Sequence, residues 1–210
     1  ELKLSEKIIY INEDTKYIGK EAFKDWKGMK KVYFPNNLQS IEKEAFCNCI
    51  NLSEVEIPQS VYYIDETSFK NCQNIRKIKA KAEFLGCFPT TKVVTIIIDD
   101  NTQEINECNL KKFINLVELT IPEKIQKLPF NILSNFPRLQ KIKCCAELLE
   151  RLSDEDKEKI KEIEEYKNGK QISKELLKKF INVQDVGIRN NSIINPKDFS
   201  IHTTTIDDII

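Results

Sequence analysis

The stretch Ile41-Glu-Lys-Glu-Ala-Phe46-Cys-Asn-Cys-Ile-Asn-Leu52-Ser-Glu-Val-Glu-Ile-Pro58 decides the fold, because the chain repeats it. Val32, Phe34 and Pro35 precede it, and Val55, Ile57 and Pro58 stand in the same places 23 residues later. Ile64, Phe69 and Cys72 follow Ile41, Phe46 and Cys49 at the same spacing of 23. Leu119, Ile121 and Pro122 open another copy, with Leu128, Leu133, Phe136 and Leu139 in the matching places and Ile142 starting the next. A fixed period of this length marks a stack of like supersecondary units, each burying its apolar positions against its neighbours.

Each unit reads as a short strand, a Pro or polar turn, and a crossover to the next strand. The spacing predicts strands around Ile9–Ile11, Val32–Phe34, Val55–Ile57, Ile78–Ala80, Ile96–Ile98, Leu119–Ile121, Ile142–Cys144, Ile163–Glu165 and Val186–Ile188. Parallel strands need a crossover of about a dozen residues, and the connection is right-handed. The expectation is therefore an α/β solenoid of about nine rungs, one elongated domain spanning residues 1–210. Gly19–Asp25, Lys43–Asn48 and Lys174–Phe180 read as short helices or 3-10 turns on the outer side. Two units are short: Ile78 to Ile96 is 18 residues, with Phe84-Leu-Gly-Cys-Phe-Pro89 as crossover, and Ile142 to Ile163 is 21. In the second, Ser153 with Asp156 resembles a capping box, so a brief helix is expected in a charged stretch lying on a solvated outer face.

Composition removes several function classes. Basic and acidic residues balance at 33 each, which gives no electrostatic case for nucleic acid or an anionic membrane. No apolar run reaches the ~18 residues needed to span a bilayer, so no membrane insertion is expected within this chain. Cys49 and Cys72 occupy the core column that Trp26, Phe113 and Phe136 fill elsewhere, and Cys144 sits in the column of Ile57 and Ile121. The cysteines therefore read as small buried hydrophobes with free thiols. No Cys-x-x-Cys occurs and His202 is the single histidine, so no metal set is expected. Five glycines provide no phosphate-cradling loop, and no nucleophile elbow or His-Glu-x-x-His is present. Catalytic residues, cofactors and metals are expected to be none.

Polar residues also recur in register. Asn51, Asn74, Asn115 and Asn182 each precede an apolar position and can hydrogen-bond backbone groups of the neighbouring turn. Asn51-Leu-Ser53 and Asn190-Asn-Ser192 are in addition glycosylation sequons.

The Ile18-Gly-Lys-Glu-Ala-Phe23 and Ile41–Pro58 segments resemble the BspA-type leucine-rich repeat, whose pattern runs Ile-Gly-x-x-Ala-Phe-x-x-Cys-x-x-Leu-x-x-Ile-x-Ile-Pro. The resemblance covers roughly residues 8 to 200. It is strong over 18–80 and 105–144 and degenerate over 81–104, over 145–170 and after 190; Ser68 stands where the pattern has Ala. It implies a horseshoe-like leucine-rich-repeat solenoid with a parallel sheet on the concave face. It also implies a non-enzymatic protein-binding role, often in adhesion at the cell surface.

Side chains alternate in a strand, so residues beside the core positions point outward from the sheet. One outward column reads Ile8, Lys31, Glu54, Lys77, Thr95, Glu118, Lys141, Glu162, Asp185. The other reads Tyr10, Tyr33, Glu56, Lys79, Ile97, Thr120, Lys143, Glu164, Gly187. Charges alternate from rung to rung, which supports either register or a binding surface. Ile8, Tyr10 and Tyr33 break the charge pattern as an exposed aromatic patch. Ile97 with Thr95 and Thr120 makes a second neutral patch. The candidate partner-binding residues are Tyr10, Tyr33, Glu56, Lys79, Ile97 and Thr120. The expected partner is a protein. The expected site of action is the cell surface by the resemblance, with a cytoplasmic scaffold or regulatory subunit as the alternative that free thiols favour. Neither Glu1–Lys7 nor Thr203–Ile210 reads as a cap. The chain is thus expected to be a piece of a longer array or to self-associate through its ends.

Overall fold

The computed structural model describes residues 7–125, 127–129, 132–165, 173–180, 182–183 and 185–188. His202, the Asn190–Ser192 sequon and the Thr203–Ile210 segment lie outside the described residues.

Nine parallel strands form one sheet in chain order, each pairing with the next rung. They are Lys7–Tyr10, Met29–Tyr33, Glu54–Glu56, Lys77–Ala80, Thr95–Ile98, Glu118–Thr120, Lys141–Lys143, Glu162–Glu165 and Asp185–Ile188. Every strand predicted from the period is present, displaced by one to three residues at its ends. The cause is visible in Lys141–Lys143, where Ile142 is buried between two half-buried lysines. One inward apolar residue per rung is enough to hold a strand when the rungs above and below supply the same residue. Sheet and outer turns together make a right-handed leucine-rich-repeat solenoid.

The core is a column of stacked rings. Phe46 and Phe69 are fully buried, with ring centroids 5.2 Å apart and planes only 2° off parallel. Phe23 stacks on Phe46 at 5.1 Å, and Phe88 continues the column at 4.6 Å from Phe69. Phe88 belongs to the short Ile78–Ile96 unit, where a 3-10 helix over Ala82–Cys87 replaces the usual crossover. The shortened loop thus still delivers an aromatic ring to the spine. Phe113 and Phe136 are buried in the later rungs.

Outer turns in the first three units depart from the helical expectation. Gly19–Asp25 and Lys43–Asn48 form successive turns without a helix. Glu21, Asp25, Glu44, Asn48 and Asn71 adopt left-handed backbone, with φ between 55° and 63°. Helical runs are interrupted there, and the amides take two kinds of partner. Ala22 and Lys24 donate back within the turn to Gly19 O and Glu21 O at 3.2 and 3.1 Å. Glu21, Phe23 and Asp25 instead donate across to Lys43 O, Ala45 O and Cys47 O at 3.0, 2.8 and 2.8 Å. The outer wall is thereby a second ladder, and it gives every amide a partner that a bare bend would lack. A small parallel sheet of Tyr17–Ile18, Ser40–Ile41 and Tyr63–Ile64 joins the two walls.

The expected asparagine ladder is present in full. Asn51, Asn74, Asn115 and Asn182 each donate from Nδ2 to a backbone carbonyl 24 residues earlier, at 2.6 to 2.8 Å. Ser68, which departs from Ala45, is fully buried and donates to Glu42 O at 2.8 Å, so its hydroxyl is satisfied.

Ser153 caps a helix over Asp154–Lys159, accepting from the Asp156 amide at 3.1 Å. The stretch does not lie wholly in solvent as expected, because Asp156 and Lys157 are each only 5% exposed. A helix that docks one face on the rung must bury whatever that face carries. The buried charges are paired: Lys159 reaches Asp156 at 3.1 Å and Lys157 reaches Asp154 at 3.5 Å.

Candidate functional site

The two outward columns fall into register as the alternation requires. Ile8 pairs with Lys31, Lys31 with Glu54, Glu54 with Lys77, Lys77 with Thr95, Thr95 with Glu118, Glu118 with Lys141, and Lys141 with Glu162. In the second column Tyr10 pairs with Tyr33, Glu56 with Lys79, Lys79 with Ile97, Ile97 with Thr120, Thr120 with Lys143, and Lys143 with Glu164. All six candidate residues therefore stand in one column of one face. They are not one cluster: Tyr10 with Tyr33, Glu56 with Lys79, and Ile97 with Thr120 form three pairs along it.

The aromatic pair is the most exposed part of the face. Tyr10 is 74% and Tyr33 42% accessible, and Ile8 beside them is 53%. The two rings stack at 5.0 Å with planes 12° apart, and the Lys31 ammonium lies 4.9 Å from the Tyr33 centroid. Such rings offer large area with few rotors to freeze, which is why they favour interfaces.

The charged rungs are largely self-neutralised. Lys31 Nζ meets Glu54 at 2.9 Å, and Lys79 meets Glu56. Lys141 bridges Glu118, Glu162 and Glu164 at 3.6, 3.5 and 2.6 Å. The hydrogen bond to Glu54, then that to Tyr33, lifts the Lys31 ammonium above its ordinary range. Lys141 is lifted likewise, chiefly by Glu164. A cavity of about 310 Å³ opens over these rungs, bordered by Tyr33, Asn36, Glu54, Glu56, Lys77 and Lys79.

Sequence reading did not single out Lys31, Lys77 or Lys141, because pairing on a face is a property of side-chain direction. It also passed over Tyr17, Tyr62 and Tyr63, which are exposed on the flank formed by the small sheet.

Cys47, Cys49, Cys72, Cys144 and Cys145 are buried free thiols, Cys87 is half-buried and Cys108 exposed. Cys49 and Cys72 donate to Phe23 O and Phe46 O at 3.1 and 3.0 Å, one rung apart. Among the described residues no group of three or more His, Cys, Asp or Glu is placed to hold a metal ion. No described helix is long and apolar enough to cross a membrane.

The sequence pattern of the BspA type leucine-rich repeat region matches in six copies, over residues 3–86 and 85–206. No curated protein matches the chain. An internalin from Listeria monocytogenes is similar in structure, with 11% identity and a TM-score of 0.48 over 78% of this chain and 48% of that one. The pneumococcal vaccine antigen PcpA shares 18% identity over 89% of this chain and 42% of its own, with a TM-score of 0.41. A leucine-rich repeat protein of T. pallidum shares 15% over 89% and 71%, with a TM-score of 0.35. The chain thus spans less than half the length of the first two.

Proposed function

The chain belongs to the BspA-type leucine-rich repeat family, and from that premise we propose that it is a non-enzymatic module that binds a protein through its concave sheet. The observation carrying this reading is the exposed stack of Tyr10 and Tyr33 beside Ile8. A monomeric fold has no internal reason to leave three large apolar side chains together in water. Tyr10 and Tyr33 act as anchors, Glu56 and Lys79 set orientation, and Ile97 with Thr120 provides a neutral contact further along. Contact between cells or with a host surface is the setting proposed.

The rival is an internal scaffold, favoured by five buried thiols in a chain of seven cysteines. Affinity capture with the wild type and a Tyr10→Ala/Tyr33→Ala variant tests the binding reading. A partner retained by the wild type and lost by the variant is expected. Equal capture by both would remove the concave face from the account. Protease treatment of intact cells separates the settings, since a surface protein is cleaved and an internal one is spared.

A further inference from the structure

Electrostatic balance on the concave face fails at one residue. Every other concave lysine reaches a glutamate of a neighbouring rung or of its own. Lys77 does not, and its ammonium has no ion pair or hydrogen bond among the described residues. Its register neighbour Glu54 is already held by Lys31 at 2.9 Å. Its other neighbour, the Thr95 hydroxyl, donates to Glu118 at 3.3 Å. Lys31, Lys77 and Lys79 therefore stand against only Glu54 and Glu56, which leaves one cation over at the cavity of about 310 Å³. Beyond the uncharged rung of Thr95 and Ile97 the sign reverses, with Glu118, Glu162 and Glu164 against Lys141 and Lys143.

We propose that this cavity takes an extended peptide segment of the partner, with one Asp or Glu carboxylate on Lys77 and an apolar side chain against Tyr33 or Ile97. The inference rests on the binding reading above and names the partner's chemistry. A single carboxylate fits better than a polyanion, because Glu54 and Glu56 flank Lys77 on one side and Glu118 lies two rungs away on the other. A phosphodiester chain would set repeated charge against those three glutamates. Ile97 is one rung from Lys77 and Tyr33 two, or about 5 and 10 Å at the spacing of a parallel sheet. An extended chain rises about 3.3 Å per residue. The apolar residue should then fall within about two or three positions of the acid.

Displayed random linear peptides, selected on the wild-type chain, test this. The selected peptides should be enriched in Asp or Glu near an aromatic or aliphatic residue. Lys77→Ala should weaken a synthetic selected peptide by up to about fivefold, and Lys77→Glu by more. Lys77→Arg should keep the affinity, and Lys20→Glu, the same charge change on an outer turn, should leave it unaltered. Wild-type affinity should fall with added salt, and the Lys77→Ala affinity should fall less. Peptides without acidic enrichment, or bound equally by Lys77→Glu, overturn this inference while leaving the binding face standing. A selection with no binders overturns it as well; the Tyr10→Ala/Tyr33→Ala capture then decides separately whether the face binds anything. Self-association in the ultracentrifuge that Lys77→Glu abolishes would make the occupant a second copy, and would equally overturn it.

Discussion

At the scale of single residues, inward and outward positions carry unequal energies. Phe46 lies between Phe23 and Phe69 and is wholly buried. Phe46→Ala should therefore cost about 3–5 kcal/mol. Lys79→Ala removes an exposed ion pair and should cost about 1 kcal/mol or less. Denaturant melts of the two variants check this, and equal losses would mean that the columns are reversed. The thiols set a pH dependence. Burial, then Asp65 and Glu66, push Cys87 up to about 11, and burial also raises Cys144 and Cys145. A thiol with a raised folded pKa stabilises fully below the unfolded pKa of about 8.5. That stability is lost as pH rises towards the folded value, because the unfolded chain ionises first. Melting midpoints should fall between about pH 8.5 and 11, and Cys87→Ala should flatten the fall; an unchanged slope would contradict the assignment. The cysteine columns were legible because a residue standing where others have Phe must be inside. The charge of Asp156 and Lys157 misled the reading because burial there follows from how a six-residue helix docks, which no local pattern encodes.

At the scale of elements, the strands and the asparagine ladder were readable and the outer turns were not. Val55 to Ile78 repeats at 23 residues because each rung must place an apolar side chain over the last. The turn conformation is hidden because its left-handed positions are occupied by Glu21, Asp25, Glu44, Asn48 and Asn71 rather than glycine. Two-residue strands such as Ser40–Ile41 are too short to show alternation. Asn48 is the sharpest test of the outer ladder. Its φ is 62°, its Nδ2 donates to Asp25 at 2.6 Å and its Oδ1 accepts from Asn71 at 2.8 Å. Asn48→Val should lose about 1–2 kcal/mol from backbone strain alone. Asn48→Gly keeps the backbone unstrained and should lose less. Urea melts giving the reverse order would show that the turn is not held left-handed.

At the scale of the molecule, repetition separates fold from function. Inward columns are spent on packing, the outer wall on hydrogen bonding, and most concave charges on one another. What remains uncommitted is the stack of Tyr10 and Tyr33, the neutral Ile97 rung and Lys77. The two columns could be written down from the sequence, since a period of two within a strand and 23 between strands places every side chain. Which charges cancel and which one is left over needed the side-chain geometry. The tyrosines divide between two surfaces, Tyr10 and Tyr33 on the concave face and Tyr17, Tyr62 and Tyr63 on the flank, so each set is a control for the other. Hydroxyl-radical footprinting of the chain, alone and with a captured partner, reads both at once. Protection of Tyr10 and Tyr33 with unchanged Tyr17, Tyr62 and Tyr63 is the expected result. Protection of the flank tyrosines with Tyr10 and Tyr33 left as reactive as in the free chain would contradict binding through the concave sheet.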